Sequence, residues 1–300
     1  MRSPPVVWDA SYEIDIGAHV FVTAKYRLTR ERLLAQGTAE EEHFVAPVPA
    51  TPEQLALVHT PEYLEKVEAG SFSFAEIMRL EVPFSEEGRA AMTLTCGGTL
   101  LAARLALEHG GAGHLGGGFH HAFAGHGEGF CLLNDVAVAA RALIHEERIE
   151  RAAVVDLDVH HGNGTAAIFA DDPAVFTFSM HQEENYPAVK PPSDLDVGLD
   201  DRTGDDDYLA LLEQHLPRVL DEHAPELVLY LAGADPYRDD QLGGLSLTLE
   251  GLRRRDRMVL EAARARDVAV AVVLAGGYAW RLEDTVAVHA ATIEELITAS

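Results

Sequence analysis

Short apolar runs alternate along this chain with stretches whose apolar residues recur every three or four positions. The runs predict strands over 6–9, 152–157, 174–180, 227–231 and 268–274. The periodic stretches predict helices over 26–36, 85–109, 133–147, 165–169, 207–223, 248–266 and 283–298. Thr51-Pro52 and Thr60-Pro61 signal two more short helices, each with proline at the first helical position. Residues 40–52 read as a polar connection, 70–85 as an irregular segment able to fold over a site, and 182–203 as a long polar loop. Strands alternating with helices throughout predict an α/β fold on a mainly parallel sheet. No repeat, low-complexity tract or long linker divides the chain, so residues 1–300 are expected to form one domain.

Four polar clusters directly follow apolar runs: Gly116–His121, after the short apolar lead of the Gly-rich stretch 111–121, and Asp156–His161, Gly233–Asp235 and Gly276–Tyr278. Parallel strands carry their carboxyl ends on one edge of the sheet, where ligands bind, so the clusters are expected to converge. If Val154 to His160 stays extended, Asp156, Asp158 and His160 share one face. Carboxylates at the end of a buried strand are costly unless paired, hydrogen-bonded or bound to metal. Asp158, His160 and Asp235 make a carboxylate–imidazole–carboxylate set. Three protein ligands with an open position suit catalytic zinc, and ferrous iron accepts the same set. Each residue alone has a plainer reading, such as a hydrogen-bonded near-core histidine or, for Asp235 before Pro236, a turn aspartate. Either of the tandem histidines His120 and His121, beside a metal, is a candidate general base. Asp156 can pair with one of them and fix its tautomer. Tyr278 can donate a hydrogen bond to a developing oxyanion, and Phe130 and Tyr186 can wall a narrow apolar passage.

Composition narrows the setting. Hydrophobic residues make up 47% of the chain, and no continuous apolar run approaches the roughly 20 residues of a membrane span. The amino terminus lacks the apolar core of a signal peptide. Cys96 and Cys131 form no CxxC pair, which argues against a disulfide framework and structural zinc. The expectation is a cytoplasmic protein. A net charge of −26 argues against a nucleic-acid or membrane partner. It favours a cationic substrate by steering, or serves solubility alone. No feature bears on oligomeric state.

GGGFHHA (116–122), GFCLLND (129–135), VDLDVHHGNG (155–164), AGADPYRDDQLGG (232–244) and AGGY (275–278) resemble, in order, the motifs of the zinc-dependent histone deacetylase superfamily. LVHTPEYL (57–64) resembles it too. Asn163 and DQLGGLSLT (240–248) are most similar to class IV members and their bacterial relatives. The resemblance implies a three-layer αβα arginase/deacetylase fold and hydrolysis of an N-acyl amine. Substrates would be acyl-lysine in a peptide or protein, an acetylpolyamine or a small metabolite amide. By motif position Asp158, His160 and Asp235 would hold Zn2+, with Fe2+ the alternative. His121 would be the base and proton donor, His120 its partner paired to Asp156, and Tyr278 the group polarising the acyl oxygen. Gly129, Phe130, Tyr186 and Gly276 would line the substrate tunnel. Asp156, Asp158, His160, Ser179 and Met180 would hold a structural K+ or Na+. Asn163 stands where class I members carry aspartate, so His121 would lack that negative partner and be less basic, since an amide stabilises imidazolium less than a charge does. Ala275 replaces the first glycine of the family's GGGY pattern. A dinuclear manganese ureohydrolase would need further carboxylates where Gly162 and Tyr237 stand. A non-catalytic acyl-lysine binding module would need neither base nor tyrosine.

Overall fold

The computed structural model describes residues 4–298; residues 1–3 and 299–300, the ends of the expected 1–300 unit, lie outside them. Its strands are β1 (Val6–Val7), β2 (Phe44–Val45), β3 (Gly111–His114), β4 (Ala152–Asp156), β5 (Val175–Gln182), β6 (Leu195–Leu199), β7 (Leu227–Leu231) and β8 (Ala269–Val273). They form one eight-stranded sheet in the order β2-β1-β3-β8-β7-β4-β5-β6. Every pairing between these strands is parallel.

Ten α-helices are described: α1 (Lys25–Ala35), α2 (Pro52–Leu55), α3 (Pro61–Ala69), α4 (Phe74–Leu80), α5 (Glu86–His109), α6 (Asp135–His145), α7 (Asn163–Phe169), α8 (Asp205–Pro217), α9 (Leu249–Arg264) and α10 (Leu282–Thr298). Side-chain oxygens of Thr51, Thr60, Ser73, Ser85, Asn134 and Thr248 accept from backbone N–H groups in the first turns of their helices. This supplies partners for donors that a helix leaves unmet.

The period-two alternation of the central strands divides the core. Ala153, Val155, Val228, Tyr230, Val270 and Val272 point to a layer with Leu33 of α1, Leu212 of α8, Val259 of α9 and Ile293 of α10. Val154, Leu229, Leu231, Ala271 and Val273 point to the other layer, with Leu100 of α5 and Val136 of α6. The result is helix–sheet–helix, an arginase/deacetylase-like α/β fold. α5 is long and apolar enough, by length and composition, to cross a membrane. Here it packs against α6, β3 and β8 as a core helix.

Three segments differ from the sequence reading. The region 182–203, expected as a loop, contains β6, which pairs from Phe178↔Leu195 to Gln182↔Leu199. Leu195, Val197 and Leu199 do alternate, but Asp196, Gly198 and the preceding Pro191-Pro192 mask a short edge strand. The region 70–85 forms α4, and 40–52 contributes the two-residue edge strand β2.

Candidate active site

β3, β8, β7 and β4 are consecutive in the sheet. The four polar clusters that follow them therefore meet at one edge, as their positions after apolar runs predicted. The chain does not stay extended to His160, however; β4 ends at Asp156. Asp156 Oδ1 accepts from the Asp158 N–H at 3.1 Å, and Asp158 Oδ1 from the His160 N–H at 3.0 Å. These local side-chain bonds compete with the ladder and curl the backbone. Leu157 and Val159 still enter the core while Asp158 and His160 turn the other way.

Asp158, His160 and Asp235 are buried, and one ligating atom from each lies within 4.8 Å of the others. His160 Nδ1 is 3.0 Å from Asp158 Oδ1 and 3.4 Å from Asp235 Oδ2. Asp158 Oδ2 accepts from the Gly276 N–H at 2.8 Å, and Asp235 Oδ1 from the Val159 N–H at 3.0 Å. Asp235 Oδ2 is buried and accepts no hydrogen bond. Burial and the neighbouring Asp158 carboxylate push Asp235 up to about 7. Burial alone would lower His160, but Asp158 and Asp235 outweigh it and raise it to about 10. Two buried carboxylates that draw an imidazole into its cationic form, with one oxygen left over, fit a divalent cation. Gly276 packs so closely that a Cβ there would collide with both carboxylates.

The tandem histidines lie beside this set. His120 Nδ1 is 2.7 Å from Asp156 Oδ2, so the pairing expected of Asp156 is formed with His120. Burial would lower His120, but the Asp156 and Asp158 charges prevail and raise it to about 9. His121 is held well below the ordinary histidine value by burial and by the nearby His120 and His160 imidazoles. Its Nδ1 is 2.7 Å from Asn163 Oδ1, and its ring centroid 6.0 Å from that of His160. The irregular Gly-rich backbone before them lets two adjacent imidazoles reach one site, their rings 4.1 Å apart.

A cavity of about 190 Å³ opens onto these residues. Gly129, Phe130, Tyr186, Gly276 and Tyr278 all line it, as do His120, His121, Asp158 and His160. Glu128 and Cys131 exchange backbone hydrogen bonds of 3.0 and 2.9 Å across a tight turn whose two central residues are Gly129 and Phe130. Both have positive φ, 53° and 70°, as a type I′ turn requires. A Cβ on Gly129 would lie 2.8 Å from the His121 ring. Phe130 packs against Phe21 and, at 5.9 Å between centroids, Tyr278. Tyr278 is held by its N–H to Asp240 Oδ2 at 2.6 Å. Burial, with Asp158 and Asp235 nearby, raises its phenol well above the usual range and keeps it protonated.

Ser179 pairs in register with Asp156, and Met180 follows it on β5 with its side chain in the core. The Ser179 hydroxyl is 3.0 Å from His181 Nδ1. His161, His181 and Asp196 also cluster there, with His161 Nε2 3.2 Å from Asp196.

Sequence reasoning missed several residues of the site. Phe21, Glu81 and Leu242 line the cavity from distant segments. Lys25 is fully buried, donates to the Ala275 carbonyl at 3.0 Å and is lowered by burial to about 8. Glu128, directly before the GF pair, contacts Asn163 and Tyr186. Its place beside that motif was the one available signal.

Residues 19–293 match the family described as histone deacetylase domain. An uncharacterised protein of Picosynechococcus is 45% identical over 287 residues, 95% of each chain. Histone deacetylase 2 of Arabidopsis thaliana is 30% identical over 312 residues, covering 97% of this chain and 78% of its own. The acetoin utilization protein AcuC of Bacillus subtilis is 30% identical over 275 residues, 83% of this chain and 70% of its own. The crystal structure of the HDA15 HD domain superposes with a TM-score of 0.83 at 25% identity, over 99% of this chain and 88% of that one.

Proposed function

The chain belongs to the histone deacetylase family, and on that footing we propose that it is a zinc-dependent amidohydrolase that removes an acyl group from acyl-lysine. The observation that carries this reading is the union, around one narrow cavity, of three buried candidate ligands, a neutral imidazole and a protonated phenol. Asp158, His160 and Asp235 would hold the Zn2+, with Fe2+ as the alternative. Asp156, Asp158, His160, Ser179 and Met180 would hold K+ or Na+. When bound, zinc supplies Lewis acidity towards the acyl carbonyl and acidifies water.

The chain's own residues do the rest. Gly129, Phe130, Tyr186 and Gly276 hold the acylated side chain extended and exclude water from its flanks. His121, neutral at the outset, accepts a proton from the attacking water at Nε2. Tyr278 donates its phenolic proton in a hydrogen bond to the acyl oxygen as negative charge grows there. His120, paired with Asp156, stays cationic beside the reacting group. His121 then returns its proton to the leaving amine nitrogen as the C–N bond breaks. Products are a carboxylate and a free amine.

Glu81 on the cavity wall favours a second substrate class, a cationic acylated amine such as an acetylpolyamine. The deciding experiment strips metal with a chelator, reloads Zn2+ or Fe2+, and screens acyl-lysine peptides of several chain lengths beside acylated polyamines. Metal-dependent release of carboxylate from acyl-lysine supports the assignment. A zinc-loaded protein that hydrolyses no acyl-amine would point instead to a binding module.

A further inference from the structure

The amide beside His121 is itself gripped by a carboxylate. Asn163 Nδ2 donates to Glu128 Oε1 at 2.7 Å, while Asn163 Oδ1 lies 2.7 Å from His121 Nδ1. The same Glu128 oxygen accepts from the Tyr186 hydroxyl at 3.2 Å, and Glu128 Oε2 is 3.3 Å from His126 Nε2. The Glu128 side chain is only 19% exposed, so water competes weakly for these bonds. Its backbone is anchored by the tight turn to Cys131.

The polarity of this chain of bonds is fixed by chemistry. A carboxylate only accepts, and an amide donates solely from its nitrogen. Glu128 therefore takes the nitrogen end of Asn163 and turns the oxygen end to His121. That oxygen also only accepts, so His121 Nδ1 must carry the hydrogen and Nε2 keeps its lone pair. Freed from Glu128, the amide can turn half way round and offer N–H to Nδ1. The hydrogen would then be drawn to Nε2, which lies 3.1 Å from His120 Nε2, and the imidazole could not act as a base there.

We propose that Glu128 is a positioning residue for His121. Through the Asn163 amide, and together with His120 Nε2 lying 3.1 Å from His121 Nε2, it favours the tautomer whose Nε2 carries the lone pair, and it supplies from one residue further out the negative charge that Asn163 lacks. This rests on His121 being the base. Charge-assisted bonds of this kind are the stronger class, and removing such outer partners costs about 10–100-fold in activity.

The test uses the zinc-loaded protein with an acetyl-lysine peptide and compares wild type, Glu128→Gln, Glu128→Gln/Asn163→Asp and His121→Ala. The amide introduced by Glu128→Gln can present either end, so the single variant should lose about 10–100-fold in kcat with KM nearly unchanged. In the double variant the carboxylate introduced by Asn163→Asp accepts directly from His121, and the introduced amide donates to that carboxylate. Most of kcat should therefore return. Nitrogen-15 NMR of labelled histidine, with His121→Ala to assign the signal, should show one Nδ1–H tautomer in wild type and a mixture in Glu128→Gln. Wild-type kcat and an unchanged tautomer in Glu128→Gln, with His121→Ala inactive, would overturn the proposal and leave the base assignment standing. A loss in Glu128→Gln that the double variant does not recover would also overturn it, since packing alone would explain the loss. Wild-type turnover in His121→Ala would remove the base assignment and this proposal with it.

Discussion

Arg255 of α9 donates through Nη1 to the backbone carbonyl of Gly233 at 2.7 Å, from a position with no solvent exposure. The Leu157 carbonyl lies 3.3 Å from the same nitrogen. Gly233 stands just before the loop bearing Asp235, and Leu157 just before Asp158. One guanidinium thus ties together the two backbone segments that carry Asp158 and Asp235. Its charge is balanced by Asp256, which also accepts from the Tyr230 and Thr292 hydroxyls at 2.5 and 2.6 Å.

Replacing that guanidinium should be expensive. Arg255→Met leaves Asp256 buried without its cation and two carbonyls unmet, a situation that costs about 3–5 kcal/mol. Denaturant unfolding measures it, and a cost below about 1 kcal/mol, the scale of a surface pair, would show that the pair holds nothing in place.

Gly276→Ala should abolish metal binding while sparing the fold. The added methyl would collide with the carboxylates of Asp235 and Asp158. Elemental analysis after zinc loading should find near-stoichiometric metal in wild type and little in the variant. Equal metal content in both would contradict the close packing described.

His121→Ala and Tyr278→Phe should each reduce kcat by about 10²–10⁴-fold and 10²–10³-fold respectively. Neither residue is among the proposed ligands Asp158, His160 and Asp235, so zinc content should stay that of wild type. Turnover near wild type in either variant would remove it from the chemistry.

Acid should unfold the protein partly through His59. Its Nε2 accepts from the Asn134 N–H at 3.1 Å, and its Nδ1 is 3.1 Å from the Phe123 carbonyl. Those partners demand a neutral ring, and burial lowers it to about 4 from an ordinary 6.5. Between those values the unfolded chain binds more protons, so stability falls as pH drops from about 6.5 to 4. The loss amounts to about 3 kcal/mol at about 1.4 kcal/mol per pH unit. In His59→Gln, which can accept and donate without titrating, the pH slope of unfolding free energy should flatten across that window. An unchanged slope would assign the acid sensitivity elsewhere.

The chemistry of the site was largely legible because it follows strand ends. Asp158, His160 and Asp235, the His120–His121 pair and Tyr278 all sit where an apolar run stops, and a parallel sheet brings such points together. The curl after Asp156 was not legible, since it depends on carboxylates bonding N–H groups two residues on. Lys25 was invisible for another reason: its partner, the Ala275 carbonyl, is 250 positions away, and nothing local marks a lysine as buried. Phe21 and Glu81 likewise reach the cavity only through tertiary packing. β6 hid because an edge strand with one face in solvent carries charge and glycine at alternate positions.

The strand order also sets a clock on biosynthesis. β3 pairs directly with β8, from Gly111↔Val270 to His114↔Val273, and the segments after these two strands carry the tandem histidines and Tyr278. Synthesis must therefore pass Tyr278 before the cavity can close. Until then, Asp158 lacks the N–H of Gly276, just past β8, that later donates to it. Non-local pairing of this kind makes folding slow. The segment carrying Tyr278 completes the cavity, so a nascent chain still short of it is a precursor without the finished pocket.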